Sequence, residues 1–171
     1  MIREAISGKG AICAEILGSL PTWFGIPESN ATYKRDVEFL PMFVAEEDGR
    51  VQGFIALKRH TPHAFEIHVL GVRPELHRMG IGRTLVVRGE SFAREGGARF
   101  LTVKTLSARH PDVGYAKTRA FYAATGFVPI EEFGALWNAD DIRAELGLSD
   151  HSLRVADFYE AFVVFSNPPD T

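Results

Sequence analysis

Between Ala64 and Leu106 the chain changes its hydrophobic period twice, and that change limits the folds open to it. Ala64–Val72 reads as a strand, and Pro74 breaks it. Gly80-Ile81-Gly82 then opens a segment in which Ile81, Leu85, Gly89 and Phe92 recur at helical spacing. Gly96-Gly97 ends this helix, and Phe100–Leu106 is again a strand. Strand, helix and strand joined this closely form a crossover, which lets the two strands lie parallel.

The flanking segments fill out the layer around that unit. Residues 10–19 read as a helix ended by Gly18-Ser19 and Pro21, and Ser29 or Asn30 is expected to cap a second helix to about Val37. Met42–Glu46 and Val51–Arg59 are apolar runs around Asp48-Gly49, a hairpin signal because glycine accepts positive φ without a Cβ clash. Thr61-Pro62-His63 makes the next turn, so Ala64–Val72 is the third strand of a meander. Thr118, Phe121, Tyr122 and Thr125 share a helical face stopped by Gly126, and Phe127–Phe133 is a further strand. Asp140 or Asp141 is expected to start a helix reaching Leu146, with Tyr159–Ser166 as the last strand. The expected fold class is α/β: a mixed, mostly antiparallel sheet with a central parallel βαβ unit, flanked by helices. One domain over residues 1–171 is expected, with 138–171 as a C-terminal extension.

Composition removes several function classes. Nineteen Lys and Arg against twenty-two Asp and Glu give a net charge of -3, which disfavours nucleic acid as a partner. Glu4 and Glu15 interrupt the early residues, which speaks against a secretory leader, and no apolar run reaches the roughly 18 residues of a membrane span. A cytoplasmic protein without a membrane partner is the expectation. Cys13, the one cysteine, stands among Ile12, Ala14 and Ile16 and reads as a packed residue rather than a nucleophile.

The chemistry concentrates in Gly71–Val87. A glycine turn opening a helix leaves backbone N–H groups free at the positive end of the helix dipole, and glycine lets a bulky anion come close. Arg78 and Arg83 add donors suited to phosphate oxygens. A dinucleotide fingerprint would need glycine at position 85, where Leu85 stands, and no G-K-S/T triplet exists for a P-loop. A pyrophosphate cradle remains.

The run His77-Arg78-Met79-Gly80-Ile81-Gly82 resembles the Q/R-x-x-G-x-G/A acetyl-CoA motif of the GCN5-related N-acetyltransferase (GNAT) family, with His77 in place of Gln or Arg. Downstream, Thr118–Phe127 is similar to that family's A-x-x-F-Y-x-x-x-G-F segment. Together the two matches cover about residues 40–133. The resemblance implies acetyl-CoA as co-substrate, no metal, and acetyl transfer to a primary amine of a small molecule or peptide. It implies that pantetheine lies between Ala64–Val72 and Phe100–Leu106, contacted by backbone groups of Leu70 and Val72. The Val72 N–H is then the oxyanion donor, with Gly71 expected to form a bulge. Tyr122 holds the position of the general acid, and Tyr115 stands where many members have a pantetheine-contacting asparagine.

An alkylammonium has a pKa near about 10, so a base must remove its proton before attack. Glu66 and His68 are the titratable residues of the key strand and alternate onto one face; Glu66 is the first candidate and His68 the second. His60, His63 and His110 are expected at the surface. The resemblance implies that the loop between the first two helices lines the acceptor site, where Trp23, Phe24 and Ile26, with Glu28 and Asp36 nearby, suit a cation. Two alternatives are a non-catalytic acyl-CoA sensor of the same fold and, less favoured on charge, an enzyme acetylating aminoacyl-tRNA. The C-terminal extension either covers the acceptor site or exchanges strands in a homodimer.

Overall fold

In the computed structural model the described residues are 1–106, 108, 113–133 and 162–167. The expected helix at 140–146 and His110 lie outside them. Contacts gather the chain into two compact units, one built mainly on Met1–Val103 and one within Lys104–Ser166.

The first unit contains β1 (Ile2–Glu4), α1 (Lys9–Gly18), α2 (Pro27–Asp36), β2 (Met42–Glu47), β3 (Arg50–Thr61), β4 (Ala64–Val72), α3 (Ile81–Glu95) and the start of β5 (Phe100–Leu106). The strands lie in the order β1-β2-β3-β4-β5. Neighbours are antiparallel except for β4 and β5, whose parallel register runs from Ala64↔Phe100 to Ile67↔Val103. This is the mixed sheet with one βαβ crossover expected from the sequence. The second unit contains α4 (Val113–Ala124) and the antiparallel pair β6 (Val128–Phe133) and β7 (Phe162–Asn167). No described helix is long and apolar enough to cross a membrane.

Local chemistry explains most boundaries. Asp48 and Gly49 both adopt positive φ, 50° and 77°, the geometry of a two-residue hairpin turn whose twist matches its strands. At the end of α3, Ala98 N–H reaches Ala93 O and Gly97 N–H reaches Arg94 O, with Gly97 at φ 81°, a Schellman closure. One expectation needs correction. The second helix begins at Pro27, whose missing N–H costs nothing in a first turn, and no side chain caps it. Asn30 is instead inside the helix and donates from its Nδ2 to Phe24 O. The short strand β1 carries too few residues for a period to show, so pattern reading passed over it.

Alternation along β2 and β3 builds a core on each side of the sheet. Val44, Phe54 and Ala56 join Cys13, Ile16, Leu17 and Val37 beneath α1. On the other side Phe92 of α3 meets Phe43 and Phe65 edge to face, and Gly89 lies against Ile55 and Leu57. Leu85, Val86, Gly89 and Ala93 form the buried stripe of α3, while Ile81 and Phe92 of the expected face are only half-buried. Burial pushes the Cys13 thiol up to about 12, so it is inert at neutral pH.

β4 does not keep one alternation throughout. Leu57 pairs with Ile67 and its neighbour Ala56 pairs with Val69, leaving His68 as an extra residue. The bulge is therefore at His68 and not at Gly71. Gly71 serves packing instead, since a Cβ there would stand 2.9 Å from Ile16 Cγ2 and its absence lets α1 approach the sheet. Gly71→Val is expected to cost about 1–3 kcal/mol by overpacking, measured by urea denaturation. An unchanged midpoint would show that α1 does not need this approach.

Candidate active site

The bulge separates two sets of β4 side chains. Phe65 lies against Phe92 of α3, whereas Val69, four residues further on, belongs to the core beneath α1. Regular alternation would place both on one side, so the bulge has exchanged the faces. Glu66 and His68 end on the side that α2 covers. His68 Nε2 is 3.1 Å from Asp36 Oδ2, and its ring meets Tyr33 edge to face at 5.4 Å. Glu66 is not the solvated strand glutamate that usual statistics favour: it is 7% exposed, and its Oε2 lies 2.5 Å from His60 Nε2. His60 is exposed, as expected, but it belongs to β3 rather than to a turn, and its ring holds a buried partner. Phe24 packs on Tyr33 at 5.9 Å, so the loop before α2 reaches the same cluster.

Burial pushes the Tyr33 phenol up, helped by the charges of Glu66, Cys13 and Asp36. Burial also lowers the His68 pKa below its ordinary value of 6.5, and outweighs the opposing carboxylates Asp36 and Glu66. His68 is accordingly neutral at pH 7.

At the end of β4 the chain turns through a 3-10 segment, Pro74–Leu76, into the glycine loop. Arg78 is in the left-handed region at φ 66° and Gly80 at φ 86°. The first backbone bond of α3 runs from Thr84 N–H to Gly80 O, so earlier N–H groups of the turn have no acceptor within the helix. Nothing lies within 4 Å of the point a Gly80 Cβ would occupy. Arg78, Met79 and Arg83 are exposed and Ile81 and Gly82 half-buried. His77, the residue that departs from the motif, holds Val72 O at 2.8 Å through Nε2 and meets the Trp23 ring at 5.6 Å. Leu70 and Val72 are half-buried at the strand end. Arg73 fixes that end: buried, it donates from Nε to Val51 O and pairs with Glu15 of α1. Sequence reading missed this role, because arginine next to proline has no pattern of its own.

In the second unit Tyr122 is 5% exposed and sits at the end of α4. Phe127 N–H bonds Tyr122 O, Gly126 N–H bonds Ala123 O, Gly126 has φ 93°, and the Tyr122 and Phe127 rings meet at 5.5 Å. The F-Y-x-x-x-G-F frame is thus a Schellman closure with its apolar contact. Gly114 and Tyr122 are the buried positions of α4; Thr118 and Thr125 bond back to helix carbonyls. Tyr115, half-buried, is one helical turn earlier than Thr118 on α4.

The model of the acetyltransferase (GNAT) family matches residues 14–127, two thirds of the chain. The chain belongs to the GNAT family. A mycothiol acetyltransferase from Thermomonospora curvata is 39% identical over 56 residues, which are 33% of this chain and 19% of that protein. The chain therefore aligns with about a fifth of that relative's length. Among solved structures, a GNAT-family protein from Desulfovibrio desulfuricans superposes with a TM-score of 0.75 at 18% identity, covering 98% of each chain. A GNAT acetyltransferase from Elizabethkingia anophelis with acetyl-CoA bound gives 0.69 at 13% identity, over 98% of this chain and 97% of that one. At these identities the structures share the fold.

In this GNAT fold the geometry brings together Trp23, Phe24, Glu66, His68 and His77, and adds Tyr33, Asp36 and His60 as their partners. The sequence suggested Asp36 as a carboxylate near the acceptor and His60 as a surface residue, but marked neither as the partner of His68 or Glu66, 32 and 6 residues away. The lowered His68 pKa carries a pH signature. The unfolded chain takes up a proton at His68 near pH 6.5 while the folded chain resists it, so stability present above that pH falls as pH drops through it. Melting temperature is expected to decline from pH 7 to 5 in the wild type and to decline less in His68→Gln; equal slopes would contradict a buried neutral ring.

Proposed function

We propose that this GNAT protein is an acetyl-CoA-dependent N-acetyltransferase acting on a primary amine of a small molecule or peptide. The observation that carries the reading is the glycine loop at the start of α3, where Arg78 and Gly80 turn left-handed and the first-turn N–H groups are free of helix acceptors. Such consecutive N–H groups at a helix N-terminus suit a pyrophosphate, and the open space above Gly80 leaves room for one. The family match and the likeness to an acetyltransferase over 56 residues support acetyl transfer.

Acetyl-CoA, once bound, supplies an activated thioester. The chain's own residues would then do four things. His77 to Gly82 with Arg83 hold the diphosphate; Leu70, Val72 and Tyr115 are assigned to the pantetheine arm. The Val72 N–H is assigned to the developing oxyanion, and the His77 bond to Val72 O steadies that peptide segment. Trp23 and Phe24 provide an aromatic wall, and Asp36 and Glu66 negative charge, for a cationic acceptor. The base is drawn from Glu66 and His68, and Tyr122 is assigned as the acid for the departing thiolate.

The packing of Tyr122 against Phe127 at a helix end favours one competing reading, a non-catalytic acyl-CoA sensor in which the tyrosine serves shape alone. Tyr122→Phe separates them. A catalytic phenol predicts a fall in kcat of about 10²–10⁴ with acetyl-CoA affinity and melting temperature nearly unchanged. A structural phenol predicts a stability loss of about 1 kcal/mol and near-normal kcat. Release of CoA thiol across a panel of primary amines tests the activity itself; binding without turnover on any amine would favour the sensor.

The cradle has its own test. Gly80→Val places a β-branched residue at φ 86°, a conformation it resists, so the loop must remodel. Acetyl-CoA affinity is expected to fall at least tenfold, about 1.4 kcal/mol, by calorimetry. Unchanged affinity would place the cofactor elsewhere.

A further inference from the structure

Two histidine–carboxylate pairs lie on the α2 side of the sheet, and they differ in what they leave available. In the first, His60 Nε2 meets Glu66 Oε2 at 2.5 Å; the glutamate is buried and the imidazole is the exposed partner. In the second, His68 Nε2 meets Asp36 Oδ2 at 3.1 Å, and the imidazole is the more enclosed group, its side chain 13% exposed against 34% for Asp36. A carboxylate only accepts hydrogen bonds, so the bond to Asp36 requires the proton of a neutral His68 ring to be on Nε2. Nδ1 then carries a lone pair and is the ring's proton acceptor.

Resting on the N-acetyltransferase reading above, we propose that His68 Nδ1 takes the proton from the acceptor's ammonium group and that Asp36 is the positioning residue that fixes the ring's tautomer. The β4 bulge is what makes the pairing possible. His68 is the extra residue between Ile67 and Val69, which releases it from the strand's regular alternation at the point where α2 ends. Tyr33, one turn before Asp36, holds the ring edge to face.

The groups facing His68 are Asp36 and Tyr33 from α2, Glu66 from its own strand and Lys58 from β3. The two carboxylates favour the protonated ring, whereas burial and Lys58 favour the neutral one, and burial is the largest influence. The ring is thus unprotonated at pH 7 and, on accepting a proton, is steadied by Asp36. Glu66, its Oε2 already engaged by His60, contributes charge that draws the cation inward.

In the transfer, the ammonium gives one proton to Nδ1, which passes it to solvent. The amine nitrogen forms its bond to the acetyl carbonyl carbon, the C–S bond breaks with its electron pair on sulfur, and the second amine proton ends on that sulfur. One proton is released per turnover.

The experiment combines kinetics with a measurement independent of activity. With acetyl-CoA and the most rapidly acetylated primary amine of the panel, kcat/KM is followed against pH in the wild type, His68→Gln, Asp36→Asn and Asp36→Glu. His68→Gln is expected to lower kcat/KM for the amine at pH 7 by about 10²-fold and to displace the acidic limb to higher pH, with KM for acetyl-CoA unchanged. Asp36→Asn is expected to lower it by about tenfold, with partial rescue in Asp36→Glu, since Asn can present its amide N–H and favour the wrong tautomer. An acidic limb unmoved in His68→Gln overturns the assignment while leaving the acetyltransferase reading intact; a wild type that turns over no amine overturns both. In the wild-type protein, two-bond nitrogen–proton correlations at pH 7 are expected to show His68 neutral with its proton on Nε2. A proton on Nδ1, or a charged ring, overturns the proposal even if the substituted proteins do not fold.

Discussion

A single extra residue in β4 sets the arrangement of everything on the α2 side of the sheet. A strand has a period of two, so Phe65, Ile67 and Val69 should share one face. They do not, because His68 stands unopposed between the pairs Leu57↔Ile67 and Ala56↔Val69. The strand can therefore bury Phe65 against Phe92 on the α3 side and Val69 beneath α1 on the other, serving two cores in turn. Without the bulge, either Val69 or Phe65 would face away from its core. The same irregularity accompanies the pairing of His68 with Asp36, while Glu66 meets His60 at a second register shift, between Arg59 and Thr61 of β3.

The stability of this region and its chemistry draw on the same contacts. Burying Glu66 and His68 is costly unless each finds a partner, and each does, at 2.5 Å and 3.1 Å. The pair with Asp36 fixes the His68 imidazole among packed side chains, and the aromatic contacts of Tyr33, Phe24 and Trp23 continue that wall to the glycine loop. His77 occupies the junction. Where the resembling motif has Gln or Arg, this chain has a ring that touches Trp23 on one side and holds Val72 O on the other. The loop before α2 and the end of β4 are thus connected through one side chain.

The F-Y-x-x-x-G-F segment shows how a motif can be explained twice. Gly126 at φ 93° and the two bonds closing on Tyr122 O and Ala123 O account for the spacing of tyrosine, glycine and phenylalanine as a helix-ending device. That device holds the Tyr122 ring in one place, which an acid catalyst needs and a purely structural residue also has. Geometry within α4 supports both roles, so the distinction rests on rate and not on packing.

The sequence by itself determined the order of elements from α1 to β6, the hairpin at Asp48-Gly49, the crossover between β4 and β5 and the glycine loop at Gly80. These depend on short-range physics: where positive φ is cheap, where proline removes a donor, and which period the apolar residues follow. It also sufficed for the family, through two segments in order. Only the tertiary structure decided which charges meet. The bulge at His68 depends on register with β3, and register is a property of two strands together. The start of α2 at Pro27, the pairing of His68 with Asp36 across 32 residues, and the burial of Glu66 beside His60 depend on where distant elements come to rest. No local pattern encodes such meetings, because the free energy that favours them comes from packing two cores at once, one on each side of the sheet.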